Sequence, residues 1–187
     1  MSASPPRIDR WPVAVRSAAR LRGVLTGCGP GLRGIGWPES PAVRLVALAA
    51  WIGPELAACG TTAAWVWGAR RDPGHPLHAA VLGGRRARST EPSALRVHEY
   101  RLAPTDLVEF DGLRVTSRVR TAEELLFHER EFGPAERASC RLLVLGTAGG
   151  ADVLRARVEG SRRPHRARAR TRLRECGLSE DQPPLTR

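Results

Sequence analysis

The sequence predicts an α+β protein with a small mixed or antiparallel sheet and several helices. Two observations support this prediction: short strand-like runs lie between turn residues, and longer segments begin at Ser, Thr or Pro and stop at Gly. A length of 187 residues accommodates one main domain with or without a small appendage. Because 42% of the residues are hydrophobic but only 5% are aromatic, we expect a core of small aliphatic side chains.

The first part of the chain predicts one short helix and one loop. Residues 13–25, VAVRSAARLRGVL, indicate a short helix that runs into a strand. Residues 26–38, TGCGPGLRGIGWP, are rich in glycine and proline, which punctuate regular structure. We therefore expect a loop over residues 26–38.

Two further helices are predicted from their start and stop residues. Ser40 precedes a proline, and this pair favours a helix start because the hydroxyl caps the first turn and proline tolerates it. The apolar segment that follows stops at Gly53. Thr61 or Thr62 is expected to cap a second helix, which ends at Gly68.

Strand signals follow in the middle of the chain. Residues 77–82 and 95–102 are short and strand-like, and neither face of the second run is purely apolar, which suits an edge strand. Asp111 and Gly112 separate LVEF from LRV, and Asp-Gly is the pair that a tight hairpin turn requires because both positions need a positive φ.

The stretch VEFDGLRVTSRVRTAEELL, residues 108–126, concentrates carboxylates and arginines and raises the question of an active site. Each acid has a structural interpretation instead. Asp111 belongs to the turn, and Thr121 with Glu124 has the spacing of a capping box at a helix start. Ser117 is an alternative cap one turn earlier. We therefore expect an architectural role and no catalytic residues here.

Three helices are predicted near the C-terminal end. The first begins at Pro134, the second runs from Asp152 through Val158, and the third spans Pro164 to Cys176. The alternating arginines of the third segment also suit a strand of period two. Its Ala, Arg and Leu content and its flanking Pro and Gly favour a helix.

The charge of the chain indicates an anionic partner. Thirty basic residues, all of them Arg, face 19 acidic ones and give a net charge of +11. GC-rich coding explains the absence of Lys but not the net charge. Such a surplus attracts polyanions, of which nucleic acid is the usual one, and the planar guanidinium suits phosphate.

Other classes of site find little support in the sequence. The four cysteines lack the spacing of a metal site, and we expect free thiols, no cofactor and no metal. His75 and His78 have a three-residue spacing, but no further ligand follows nearby. Phosphate-loop, zinc-protease and nucleophile-elbow motifs are missing. No run approaches the ~20 apolar residues of a membrane span, so a cytoplasmic location is expected.

The segments DGLRVTS and RTAEEL resemble the signature "DGlpvTsp.RT..DL" in the C-terminal region of AbiEi-type antitoxins of bacteria. Those proteins are the antitoxin and transcriptional-regulator half of type IV toxin–antitoxin systems. Further segments fall in the family's order: LRGVL at the end of the wing, AVRLVALAAWIG in the next helix, then CGTTAAWVWGA and VHEYRLAPTDLVEFDG. Glu124 stands where the family has Asp. The similarity spans residues 20 to 175.

The resemblance implies an N-terminal winged helix that binds the operon's own promoter DNA, an α/β C-terminal domain, and antagonism of a nucleotidyltransferase-like toxin without a stable complex. Twenty residues precede LRGVL, fewer than the recognition helices need. We therefore expect an arm and truncated winged-helix remnant over 1–38, an AbiEi-like domain over 39–177 and a disordered tail over 178–187. Because the chain ends at SEDQPPLTR, no nuclease core is expected.

The leading hypothesis is a non-enzymatic antitoxin and regulator whose basic surface contacts nucleic acid. One alternative is a truncated protein-interaction module without DNA binding. A further alternative is the remnant of a longer protein that carries a very-short-patch-repair-like endonuclease domain. A nuclease or other enzyme has the least support in the sequence. The predicted phosphate contacts are Arg85, Arg86, Arg88, Arg166, Arg168, Arg170, Arg172 and Arg174.

Overall fold

The computed structural model describes residues 4–83 and 94–179. The chain divides into two compact units, Met1–Thr116 (unit 1) and Ser117–Arg187 (unit 2). Within the described residues it contains seven α-helices, a two-stranded antiparallel hairpin and a five-stranded mixed sheet, which confirms the predicted α+β class. The divisions predicted after residues 38 and 177 remain predictions.

Unit 1 contains both sheets. Its elements in chain order are α1 (Val13–Leu21), β1 (Leu25–Cys28), β2 (Gly31–Gly34), α2 (Pro41–Ala47), β3 (Leu56–Ala58), α3 (Gly60–Val66), β4 (Leu77–Val81), β5 (Leu95–His98), β6 (Leu107–Phe110) and β7 (Leu113–Thr116). The larger sheet has the order β5-β4-β3-β7-β6. β3 pairs antiparallel with β4 and parallel with β7, β5 runs parallel to β4, and β6 and β7 form an antiparallel hairpin.

The prediction of a loop over residues 26–38 was wrong, because β1 and β2 form a hairpin there. Leu25 pairs with Gly34, and Cys28 pairs with Gly31 across the turn. The glycines permit close packing. A Cβ at Gly31 would overlap the carbonyl oxygen of Ala47 in α2. At Gly31 the glycine thus reflects close contact with another element and not an absence of regular structure.

The predicted helix starts in unit 1 had different outcomes. Ser40 caps α2 as expected, since its Oγ accepts from the backbone N–H of Val43 at 3.3 Å. α3 begins two residues early, with Cys59 at the N-cap position, so neither candidate threonine caps it. Thr62 instead links α3 to the following loop and to β4: its Oγ1 donates to Pro73 O at 2.7 Å and accepts from the N–H of His78 at 2.8 Å. Gly68 follows α3 with a φ of +77°, as predicted.

The strand predictions of unit 1 are confirmed. β4 and β5 lie within the predicted runs, and β5 is an edge strand of the larger sheet. Asp111 and Gly112 have φ values of +53° and +77° and join β6 to β7. This is the backbone conformation that the Asp-Gly pair favours in two-residue hairpins.

The core of unit 1 consists of small aliphatic residues, as the composition indicated, together with Trp65, which is 2% exposed. Ala57, Ala58, Ala79 and Ala80 are fully buried in the two central strands. All five tryptophans of the chain belong to this unit, at positions 11, 37, 51, 65 and 67.

Unit 2 is helical in its described residues. Its elements are α4 (Arg118–His128), α5 (Pro134–Leu145), α6 (Gly150–Glu159) and α7 (Arg166–Glu175), which confirms the three helices predicted near the C-terminal end. α4 contacts each of the other three helices. Every residue from Val119 to Phe127 is buried, so α4 is the central element of this unit.

The predicted capping box at Thr121 and Glu124 was wrong, and the alternative cap Ser117 is used. The Ser117 Oγ accepts from the backbone N–H of Arg120 at 3.4 Å. Thr121 lies inside α4, where its hydroxyl donates to the carbonyl of Ser117 at 2.9 Å. Glu124 instead accepts a hydrogen bond from Arg120 Nε at 2.9 Å.

Candidate nucleic-acid interface

The last helix, α7, has one buried side that holds it against unit 2. Ala169 and Leu173 are 0% and 3% exposed. Arg172 shares this side and is 6% exposed, which is unusual for an arginine. Burial lowers the pKa of Arg172 from its ordinary value. The side that carries Ala169 and Leu173 therefore faces the protein, and the opposite side of α7 faces solvent.

Two of the five predicted phosphate contacts on α7 bond to the backbone at the end of α4. Arg172 Nη1 donates to Leu126 O at 2.9 Å, and its guanidinium lies 4.7 Å from the ring centroid of Phe132. Arg168 Nη2 donates to Phe127 O at 2.6 Å. The carbonyls at a helix C-terminus have no partners within their own helix. The two arginines supply those partners and attract the negative end of the helix dipole.

The other three predicted contacts form a stripe on the outer side of α7, here called the arginine stripe: Arg166, Arg170 and Arg174. Their four-residue spacing places them on one face at intervals of about 6 Å along the helix axis. The side chains of Arg166 and Arg170 are 40% and 47% exposed. Arg174 is also exposed, and its Nη2 donates to Thr171 Oγ1 at 3.3 Å.

Glu159, at the end of α6, pairs with part of the arginine stripe. Its carboxylate accepts from Arg170 Nε at 2.8 Å and from Arg166 Nη2 at 3.2 Å. The hydrogen bond from Arg170 holds the pKa of Glu159 below its ordinary value. One carboxylate thus faces two guanidinium groups on an exposed surface, which leaves excess positive charge there. Exposed pairs of this kind contribute little net stability, so Glu159 opposes the approach of another anion only weakly.

The remaining three predicted phosphate contacts fall in the sequence between β4 and β5. Arg85, Arg86 and Arg88 lie outside the described residues.

Two carboxylates of residues 108–126, Glu123 and Glu124, belong to a buried ionic network, whereas Glu109 pairs with Arg114 at an exposed position and Asp111 lies in the hairpin turn. Glu123 is 3% exposed and lies 2.8 Å from Arg157 Nε and 2.8 Å from Arg163 Nη1. Glu124 pairs with Arg120 in the same helix. Both acids have arginine partners among the described residues. The Glu123 pair with Arg157 joins α4 to α6, and its buried carboxylate needs these partners because an unpaired buried charge is costly.

The cysteines and histidines provide no metal site within residues 4–83 and 94–179, where no cluster of three ligand side chains occurs. All four cysteines are free and buried. Burial raises the pKa of the Cys28 thiol to about 11, so it stays protonated at neutral pH. His78 does not pair with His75. Its ring lies 5.0 Å from that of His98, which in turn stacks on Tyr100.

The two-residue spacing of His98 and Tyr100 indicates this aromatic row, although the row was not predicted from the sequence. His98 and Tyr100 are two residues apart, so they point to the same face of an extended strand. In the parallel pairing of β4 with β5, His78 lies opposite Arg96, and His98 follows two residues further along β5 on the same face, diagonal to His78.

The arrangement on α7 can bind phosphates through planar, charge-assisted contacts without reading base sequence. No helix in the described part of the chain is both long and apolar enough to cross a membrane. Comparison of the sequence with protein-family models and with curated proteins found no match. The search of solved structures likewise found no match.

Proposed function

We propose that the protein is a cytoplasmic, non-enzymatic antitoxin and transcriptional regulator of the type IV class, with the arginine stripe as its nucleic-acid contact. The resemblance of residues 20 to 175 to AbiEi-type antitoxins supports the class. The observation that carries the nucleic-acid part is the stripe on α7, which Arg172 and Arg168 anchor to the end of α4. Because the three guanidinium groups extend from a formed helix, binding requires no ordering of the backbone that carries them.

The proposed contact works by exchange of one anion for another. Phosphate oxygens replace or supplement the Glu159 carboxylate at Arg166 and Arg170, and Arg174 extends the contact by a further turn of the helix. Arginine is suited to this exchange because its fork binds phosphate and carboxylate with the same geometry. The contact carries no sequence information, so promoter choice needs a second element.

The test is the salt dependence of duplex DNA binding by the full chain, measured by fluorescence anisotropy. Three phosphate contacts predict a slope of log affinity against log salt of about −2.7, and further contacts make it steeper. In a triple variant with Arg166, Arg170 and Arg174 changed to Gln, the slope is expected to be less negative than the wild-type slope by about 2.7. The matched control changes Arg71, Arg96 and Arg101 of unit 1, which are also exposed, to Gln.

Both triple variants lower the net charge equally, so they separate a local contact from general attraction. A wild-type affinity that does not change with salt would disprove the nucleic-acid part of the proposal. Equal loss of affinity in the two variants would show that the arginine stripe is not the contact.

The antitoxin part is tested in bacteria by co-expression. The neighbouring reading frames are searched for a nucleotidyltransferase-like toxin, and that toxin is expressed with and without this chain. Rescue of growth, with no stable complex on co-purification, is the expected result. If the toxin alone arrests growth and this chain does not restore it, the antitoxin part of the proposal is contradicted. The DNA-binding measurement is independent of that outcome.

A protein-interaction module is the second candidate, and the exposed apolar residues around α1 favour it. Val13 and Leu21 are 69% and 89% exposed, and no residue of α1 is buried. Apolar groups grouped on a surface often mark a protein partner. Loss of a co-purifying protein on changing Val13 and Leu21 to Ser, together with an absence of DNA binding, would favour this candidate over the first.

A further inference from the structure

Unit 1 contains a cavity of about 320 Å³ whose walls come from α1, the β1–β2 turn and the chain around the end of α2. This volume lies in the range of pockets that hold small organic ligands. The residues that decide its chemistry are Asp9, Arg16, Arg20, Gly29, Gly31 and Trp51. The cavity belongs to unit 1, whereas the arginine stripe belongs to unit 2.

The orientation of α1 is the reverse of that of an ordinary amphipathic helix. Its two cavity-lining side chains are Arg16 and Arg20, whereas Val13, Val15 and Leu21 are 69%, 49% and 89% exposed. Helices on protein surfaces normally bury the apolar side and expose the charged one. Positive groups that line a cavity are expected where an anion compensates them.

One of the two arginines retains an unused donor. Arg16 Nε is shielded from solvent and has no hydrogen-bond partner among the described residues. A shielded N–H without an acceptor is energetically unfavourable, so native proteins generally supply an acceptor. Arg20 is exposed as well as cavity-lining, which places it where the cavity opens to solvent.

The one acid that lines the cavity does not cancel this charge, because Asp9 has its own partner. Arg7 donates to the Asp9 carboxylate from Nε at 2.9 Å and from Nη2 at 2.8 Å. These hydrogen bonds hold the pKa of Asp9 below its ordinary value. The positive charges of Arg16 and Arg20 therefore remain available.

The opposite wall is apolar and firmly held. A Cβ at Gly31 would overlap the carbonyl oxygen of Ala47, and a Cβ at Gly29 would come within 2.7 Å of the Trp65 ring. The turn therefore packs directly against α2 and Trp65. Beside it, Trp51 and the apolar side chains of Val46 and Leu32 line the cavity. Indole rings and aliphatic groups favour a flat, apolar ligand body.

We propose that this cavity binds a small organic anion, in which a carboxylate or phosphate monoester is attached to a planar apolar body. The anionic group meets Arg16 and Arg20, and the planar body lies against Trp51. This proposal is independent of the proposed nucleic-acid contact, because the residues of the arginine stripe take no part in it.

The test is isothermal titration of the full chain with matched probes. 1-Naphthoate and 1-naphthyl phosphate carry the anion and the flat body, 1-naphthamide lacks the charge, and acetate and inorganic phosphate lack the body. At least one naphthyl anion is expected to bind roughly tenfold tighter than the neutral amide, the increment of one charge-assisted hydrogen bond. The stronger of the two identifies the anionic group that the site prefers.

Single variants then locate the site. Arg16→Gln and Arg20→Gln are each expected to weaken the preferred anion about tenfold and to leave 1-naphthamide unchanged. Arg22→Gln is the matched control, because Arg22 follows α1, is exposed and does not line the cavity. Unchanged amide affinity also shows that each variant is folded.

Three results would overturn the proposal. The first is no naphthyl anion binding to the wild type. The second is equal affinity for the amide or for the simple anions. The third is anion affinity that the Arg16 and Arg20 variants leave as it was.

Discussion

Arg172 Nη1 donates to the backbone carbonyl of Leu126 across 2.9 Å, although 46 residues separate the two in the chain. This bond joins α7 to the last turn of α4, and it uses an arginine that is 6% exposed. In this arginine-rich helix, Arg172 and Arg168 thus bond to the backbone of α4, while Arg166, Arg170 and Arg174 face solvent.

Arg172→Ala is expected to destabilise the protein by about 2–3 kcal/mol, since it leaves a buried carbonyl without a donor and removes packing against Phe132. Arg174→Ala makes the same charge change at an exposed position and should cost less than about 0.5 kcal/mol. Urea unfolding followed by circular dichroism measures both. Equal costs for the two variants would contradict the structural role of Arg172.

Removal of the Glu123 carboxylate should also destabilise unit 2. Glu123→Gln leaves Arg157 and Arg163 without the counter-charge that lies 2.8 Å from each. We expect a loss of about 1–2 kcal/mol, because the amide is a weaker partner than the buried carboxylate, while the two arginine side chains, 30% and 36% exposed, stay partly hydrated. Asp152→Asn breaks the exposed pair with Arg155 and serves as the control, with an expected effect below about 0.5 kcal/mol. Thermal unfolding of both variants provides the comparison.

Stability is expected to fall at alkaline pH through Cys28. Burial raises the pKa of its thiol to about 11, whereas an unfolded thiol ionises near 9. The folded state therefore holds its proton over the interval in which the unfolded state loses it. The stabilisation is complete below pH 9 and is lost as the pH rises through 11, by about 2–3 kcal/mol.

The check on Cys28 is the difference between wild type and Cys28→Ala in urea unfolding at several pH values. The variant removes the thiol, so its stability should decline less between pH 9 and 11. Parallel curves for the two proteins would show that Cys28 does not ionise differently in the two states.

Two glycines of the β1–β2 hairpin should respond differently to a methyl group. Gly31→Ala places a Cβ against the backbone oxygen of Ala47, which cannot yield as a flexible side chain would. We expect a loss of more than about 3 kcal/mol, as for severe overpacking. At Gly27 no atom lies within 4 Å of the added Cβ, and Gly27→Ala should change stability by less than about 0.5 kcal/mol. Melting temperatures of the two variants distinguish the sites.

Features that depend on adjacent residues were predictable from the sequence. Ser40 caps α2, and Asp111 with Gly112 turns the β6–β7 hairpin, because each acts within a few residues of its own position. The choice between Ser117 and Thr121 as the cap of α4 was open locally. Glu124, the partner that a capping box needs, bonds to Arg120 instead, and Ser117 takes the cap position.

Features that depend on distant residues were not predictable in the same way. The glycines of residues 26–38 indicated a loop. Gly31 and Gly29 are instead small because they contact Ala47 and Trp65, which lie outside the segment. The roles of the α7 arginines likewise depend on carbonyls more than 40 residues away. One signal was present: Ala169 and Leu173 lie four residues apart, so Arg172 falls on their side of a helix.

Because all five tryptophans lie in unit 1, two spectroscopic signals report on different parts of the chain. Intrinsic fluorescence follows unit 1 alone, whereas far-ultraviolet ellipticity also follows the helices of unit 2. Denaturation curves recorded by both signals coincide if the chain melts as a single cooperative body and separate if each half melts by itself. An unlabelled sample thus shows whether the two units unfold together or separately.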